Sequence, residues 1–125
     1  MNTAVWIVQV LLALAFFLAG LMKATQPRAK LAERMGWVEG FSPNIVKGIG
    51  TLEVLGAIGV ILPALTGILP WLTPVAAVGL VLTMIGAILT HIRRREPSMI
   101  VVNGVLLAMA VFVAYARFVA VPVVV

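Results

Sequence analysis

Residues 45–62, IVKGIGTLEVLGAIGVIL, decide the fold. The stretch is apolar and of membrane-spanning length. It carries one carboxylate, Glu53, near its middle and glycines at 48, 50, 56 and 59. A charge at the bilayer centre costs about 2.5–3.5 kcal/mol on insertion scales and more in simulations. Glu53 is therefore expected to face protein or a water-filled cavity, and to have a partner.

The rest of the chain agrees with a membrane reading. Of its 125 residues 63% are hydrophobic and 10% charged, and the mean hydropathy is +1.20. A soluble domain of this size has too little interior to bury that much apolar surface. Each span needs about 20 residues, so the length suits one bundle of four. The expected architecture is all-α: a polytopic membrane protein, with a four-helix transmembrane bundle forming a single domain over residues 1–125. The spans are expected at about residues 4–23, 45–62, 74–91 and 99–118, with a short interfacial helix at about 27–36. No positive n-region precedes the first span and no small-residue cleavage site follows it, so it reads as a retained helix rather than a signal peptide.

Local signals set the boundaries. Pro27 suits the first turn of the interfacial helix, and Leu31, Met35 and Val38 recur at helical spacing. Gly36 ends it and leaves Trp37 at interface level. Pro63 follows the second span. Thr73-Pro74 reads as cap and first position of the third, and Pro97-Ser98 opens the fourth. Ala15, Ala19 and Gly20 on the first span offer a small surface for close helix approach. Ala76, Gly79, Thr83, Gly86 and Thr90 form a similar stripe on the third.

Charge sorts the ends. The net charge is +5, and eight of the nine Lys and Arg residues flank or fill the first and third loops. The ninth, Arg117, lies near the C-terminal end. The positive-inside rule puts loops 24–44 and 92–98 in the cytoplasm and both termini outside the cell inner membrane. A basic membrane protein of this kind implies a lipid bilayer, not nucleic acid. There is no Cys and no Asp, and one His, so disulfides, iron–sulfur ligation and bis-histidine haem within one chain find no ligands, and a metal site is not expected. No phosphate-binding glycine loop and no nucleophile–His–acid set is present.

That topology brings chemistry together. Lys23 lies at the cytoplasmic end of span one and His91 at that end of span three. Glu53 is about eight residues into span two, roughly 12 Å along the helix axis. Asn103 is about one turn into span four. These four are expected to converge on one polar cluster with Glu53 deepest. Lys23 is a counter-ion candidate, in competition with His91 and the loop arginines, and Asn103 is placed to donate to the carboxylate. Such a cluster serves either as glue that locks the helices, as a ligand or proton-transfer site, or as a subunit contact.

The ordered set of motifs resembles a known family. It comprises FFLAGLMKAT (16–25), the Gly-Trp of MGW (35–37), GIGTLEVLGAIGVILP (48–63), LTPVAAVGLVLTMIGAILTHIRRRE (72–96) and NGVLLAMAVFVAYARF (103–118). Together they resemble the DoxX-like family of small four-helix bacterial membrane proteins. The resemblance implies a four-helix bundle, and Lys23, Glu53 and His91 match its recurring polar positions. The family takes its name from a membrane subunit associated with a thiosulfate:quinone oxidoreductase. The function expected from it is an accessory membrane subunit of an oxidoreductase or respiratory-type complex, without catalytic activity alone. Glu53, Lys23, His91, Asn103 and Trp37 are the candidates to line a quinone or lipid pocket. Other membrane subunits or further copies of the chain are the expected partners. The alternatives are a structural or assembly protein beside a larger complex, and small-molecule or proton transport as an oligomer.

Overall fold

In lipid every backbone N–H and C=O must be satisfied within the protein, so long apolar segments become helices. The computed structural model of the chain, which describes residues 2–32, 36, 40–69 and 71–120, has this form. Its helices are α1 (Asn2–Thr25), α2 (Arg28–Ala32), α3 (Pro43–Thr66), α4 (Leu72–Arg93) and α5 (Pro97–Tyr115), and a π-helical turn at Ala116–Ala120 prolongs α5. Asn2–Thr25, Pro43–Thr66, Leu72–Arg93 and Pro97–Val119 are long and apolar enough to cross a membrane. Several threonine hydroxyls of the spans are absorbed locally, whereas that of Thr73, buried in the first turn of α4, has no partner among the described residues. Thr51, Thr83 and Thr90 each donate to the carbonyl four residues back, at 2.8–3.0 Å.

Helix ends follow backbone chemistry, with two departures from expectation. Ser42 caps α3 by accepting from the Ile45 N–H at 3.3 Å, and Pro43 fills the first turn. Pro63 does not end that helix. Its ring leaves the Gly59 carbonyl without a donor, a defect that spanning helices tolerate, and the helix runs on to Thr66. Gly67 then stops it in the left-handed conformation at φ 74°, with its N–H on the Pro63 carbonyl. Thr73 is not the cap of α4. The turn Leu72 N–H to Leu69 O, 2.9 Å, starts the helix earlier, and Thr73 lies inside it, buried.

The four long helices form a ring in the order α1, α3, α4, α5, closed by α1 against α5. Leu12, Phe16, Val60, Leu80, Met84 and Val113 fill the centre, while leucines such as Leu52, Leu55, Leu82 and Leu89 face outward. Lipid tails are as apolar as leucine, so helices associate through close packing rather than through the hydrophobic effect. The closest approach is α1 on α3. A Cβ added to Gly20 would lie 2.6 Å from the Gly50 carbonyl oxygen, and one added to Gly50 would lie 2.5 Å from the Gly20 carbonyl oxygen. Only hydrogen fits between these backbones. The stripe expected on α4 is used in part: Ala76 meets Gly59, but Gly79 and Gly86 face open space.

The expected interfacial helix is present as α2. Leu31 is its anchor, buried against Val46, with Met22 and Phe41 beside it. Residues 33–35 and Trp37 lie outside the described residues, so the candidate role of Trp37 has no structural counterpart here. Gly36 sits against the Arg94 guanidinium, which brings the first and third loops together at one end of the bundle.

Candidate functional site at the Lys23 end of the bundle

The α1–α3 crossing determines what happens one turn further on. With the backbones in contact at Gly20 and Gly50, Lys23 and Glu53 face each other directly. Lys23 Nζ donates to Glu53 Oε1 at 2.5 Å, with Glu53 only 1% exposed. Of the competing partners among the described residues, Lys23 is the one that reaches the carboxylate. Charges this close and this buried hold their energy as a pair, and removing one leaves the other uncompensated.

His91 makes a different bond from the one expected. Helix α4 ends in a Schellman turn: Glu96 N–H bonds His91 O at 3.0 Å and Arg95 N–H bonds Ile92 O at 3.2 Å. Arg95 occupies the left-handed position, φ 56°, that glycine usually fills. The turn folds Glu96 back over the helix end. Its Oε1 accepts from His91 Nδ1 at 3.0 Å and from Arg94 Nε at 3.1 Å. The hydrogen bond from His91, helped by Arg94, holds the Glu96 carboxyl below the usual carboxylate range. Nδ1 therefore faces an ionised acceptor. His91 itself is buried, and its Nε2 makes no hydrogen bond among the described residues.

Asn103 is also buried, at 6% exposure, but its Nδ2 has no hydrogen-bond partner among the described residues. It was expected to donate to Glu53, and no such bond forms. A buried donor left unmade costs about 1–3 kcal/mol.

Lys23, Glu53, His91 and Asn103 do share one space. All four line a cavity of about 510 Å³ bounded by α1, α3, α4 and α5. The rest of its lining is mainly apolar, Phe16, Met84 and Leu106 among it, with Leu52 and Leu82 contributing although largely exposed, and the Thr83 and Thr90 hydroxyls bonded to their own helix. Convergence was legible from depth and topology. The pairings inside the cluster were not, and two contributors were missed. Phe41 lines the cavity from the loop before α3, with only its aromatic character as a signal. Glu96 is the carboxylate behind His91, five residues on, and its signal lay in the charged string HIRRRE.

A second polar cluster, at the opposite end, was also missed. Arg117, 4% exposed, donates from Nε to Gln9 Oε1 at 2.6 Å and from Nη1 to Asn2 Oδ1 at 2.9 Å. Its guanidinium lies 5.3 Å from the centroid of the Trp6 ring. Gln9 passes the connection on, donating from Nε2 to the Val60 carbonyl at 2.8 Å. The start of the first span and the end of the fourth share one end of the bundle, so the reasoning that joined Lys23 to Glu53 also pointed to this pair.

A family model described as the DoxX-like family matches residues 7–113, a stretch that includes Lys23, Glu53, His91 and Asn103. No curated protein and no solved structure matches the chain.

Proposed function

The chain belongs to the DoxX-like family, as a membrane protein with four apolar helices, and from that premise we propose that its cavity holds a lipid-soluble amphiphile, a quinone first among them. In this reading the chain is an accessory membrane subunit of an oxidoreductase complex. The observation that carries the proposal is the cavity itself. Its volume of about 510 Å³ falls in the range of about 300–1,000 Å³ common for small-molecule sites. Its walls suit a ring, and Lys23, Glu53, His91 and Asn103 supply its charged, imidazole and amide groups. The residues fit such a group because Asn103 offers a buried N–H that no atom of the described residues uses. Asn103 would hold a head-group oxygen, Phe16 and Leu106 would flank the ring, and the Lys23–Glu53 pair would fix the potential beside it. A bound quinone would supply electron transfer to or from the membrane pool. The basic loops support an orientation with this end in the cytoplasm, testable by labelling single cysteines placed at Lys30 and Thr3 in intact cells.

The test is purification from native membranes followed by solvent extraction. A quinone near one equivalent per chain, depleted in Asn103→Leu, together with a co-purifying redox partner, is the expected result. Phospholipid alone, with no redox partner, would overturn the proposal. A purely structural role is the second reading, favoured by the Gly20–Gly50 contact and the ion pair beside it, which clamp two helices without any ligand. Under that reading Glu53→Gln lowers thermal stability in detergent, or leaves it unaltered, while turnover per assembled complex stays normal.

A further inference from the structure

The cavity has a directional hydrogen-bonding pattern, and it originates outside the cavity. Glu96 does not line the space. It stands in the loop behind His91, partly open to solvent. An ionised carboxylate only accepts, so its 3.0 Å bond places the proton of His91 on Nδ1. In the neutral ring the other nitrogen, Nε2, is then an acceptor. Asn103 Nδ2 on the neighbouring helix is a donor with no partner. The two side chains line the same cavity with opposite demands.

From this we infer that the site selects ligands whose head carries a hydroxyl group. The hydroxyl hydrogen goes to His91 Nε2, and an oxygen of the same head accepts from Asn103 Nδ2. A head with acceptors only, such as an ether or a dicarbonyl, satisfies Asn103 and leaves His91 facing a lone pair. Between the two redox forms of a quinone the rule favours the reduced, dihydroxy form. Glu96 acts here as a positioning residue: it touches no ligand and sets the tautomer of the residue that does. The inference rests on the cavity being a ligand site, the reading proposed above.

The experiment compares two probes that differ by one group, 4-nonylphenol and its methyl ether. Equilibrium binding is measured to the full chain in phosphatidylcholine nanodiscs, with empty nanodiscs subtracted, at one fixed pH for both probes. The phenol is expected to bind about tenfold tighter than the ether, the size of one buried hydrogen bond made or lost. His91→Phe removes the preference. Glu96→Gln shrinks it, because an amide presents either a donor or an acceptor to Nδ1. Asn103→Leu weakens both probes alike. A lesion that merely loosened the bundle would lower both affinities and leave their ratio alone. Equal binding of the two probes by the unaltered chain, with both weakened by Asn103→Leu, overturns the inference and leaves the ligand site standing. Absence of saturable binding for either probe overturns the ligand site itself, and the inference with it.

Discussion

The two ends of the bundle bury polar groups in opposite ways. At one end Arg117 is packed among Gln9, Asn2 and the Trp6 ring, and the Gln9 amide is used on both its oxygen and its nitrogen. At the other, Lys23 and Glu53 are paired but stand at the wall of a cavity, with the Asn103 amide nitrogen unused. Both ends carry a buried charge in an apolar helix, so a charge at depth does not by itself mark a ligand site. Buried donors without a partner occur at both ends among the described residues, Asn103 Nδ2 at one and Thr73 Oγ1 at the other, so it is the adjacent space that sets the Lys23 end apart. The Arg117 end joins α1, α3 and α5 and reads as a fastening, whereas the Lys23 end reads as a fastening beside a site.

The largest effects should come from cutting each fastening. Glu53→Ala leaves Lys23 buried without its partner and is expected to cost about 3–5 kcal/mol. Arg117→Met keeps much of the volume but strands the Gln9 and Asn2 oxygens, at about 1–3 kcal/mol. Both are measured by reversible unfolding in mixed micelles. Equal losses at the two ends would erase the energetic contrast between them.

Asn103→Leu sharpens the difference further. It replaces an amide whose nitrogen is unused, so stability should hold or rise by about 1 kcal/mol, while ligand binding falls. A clear loss of stability without ligand would mean that Asn103 serves the fold.

A smaller effect follows from Glu96. Its folded-state carboxyl titrates below the ordinary range, so its contribution is fully present above the usual carboxylate value of about 4.3. It is lost as the pH falls through the lower folded value. The stability difference between the unaltered chain and Glu96→Gln should therefore be constant near neutrality and close on acidification below the ordinary range. A difference that widened in acid would contradict the His91–Glu96 bond.

The smallest change belongs to the turn that creates that bond. Arg95 holds a left-handed conformation, so Arg95→Gly should stabilise by no more than about 1 kcal/mol. Loss of stability, or of the phenol preference, would show that the Arg95 side chain has a role of its own.

How much of this was readable in advance depended on the kind of signal. The four spans and the sharing of one end by Lys23, Glu53, His91 and Asn103 followed from hydropathy, length and charge, and the DoxX-like resemblance from the ordered motifs. The run of α3 through Pro63 did not, because proline stops helices in water and only perturbs them where no water competes for the backbone. The His91–Glu96 bond was hidden because its turn is built on Arg95, and no glycine marked the place. Arg117 was noted at the end of the last span, but its partner Gln9 lies 108 positions away in the chain.

The sequence by itself determined depth. The order of apolar and polar residues along each helix sets how far into the membrane every side chain lies, and with an alternating topology it sets which residues share an end. Only the tertiary structure decided azimuth and space: that Lys23 and not His91 takes Glu53, that Asn103 is left over, and that a cavity remains among them. Those outcomes depend on how closely two backbones approach at Gly20 and Gly50. That distance is a property of two surfaces pressed together, and neither helix specifies it alone.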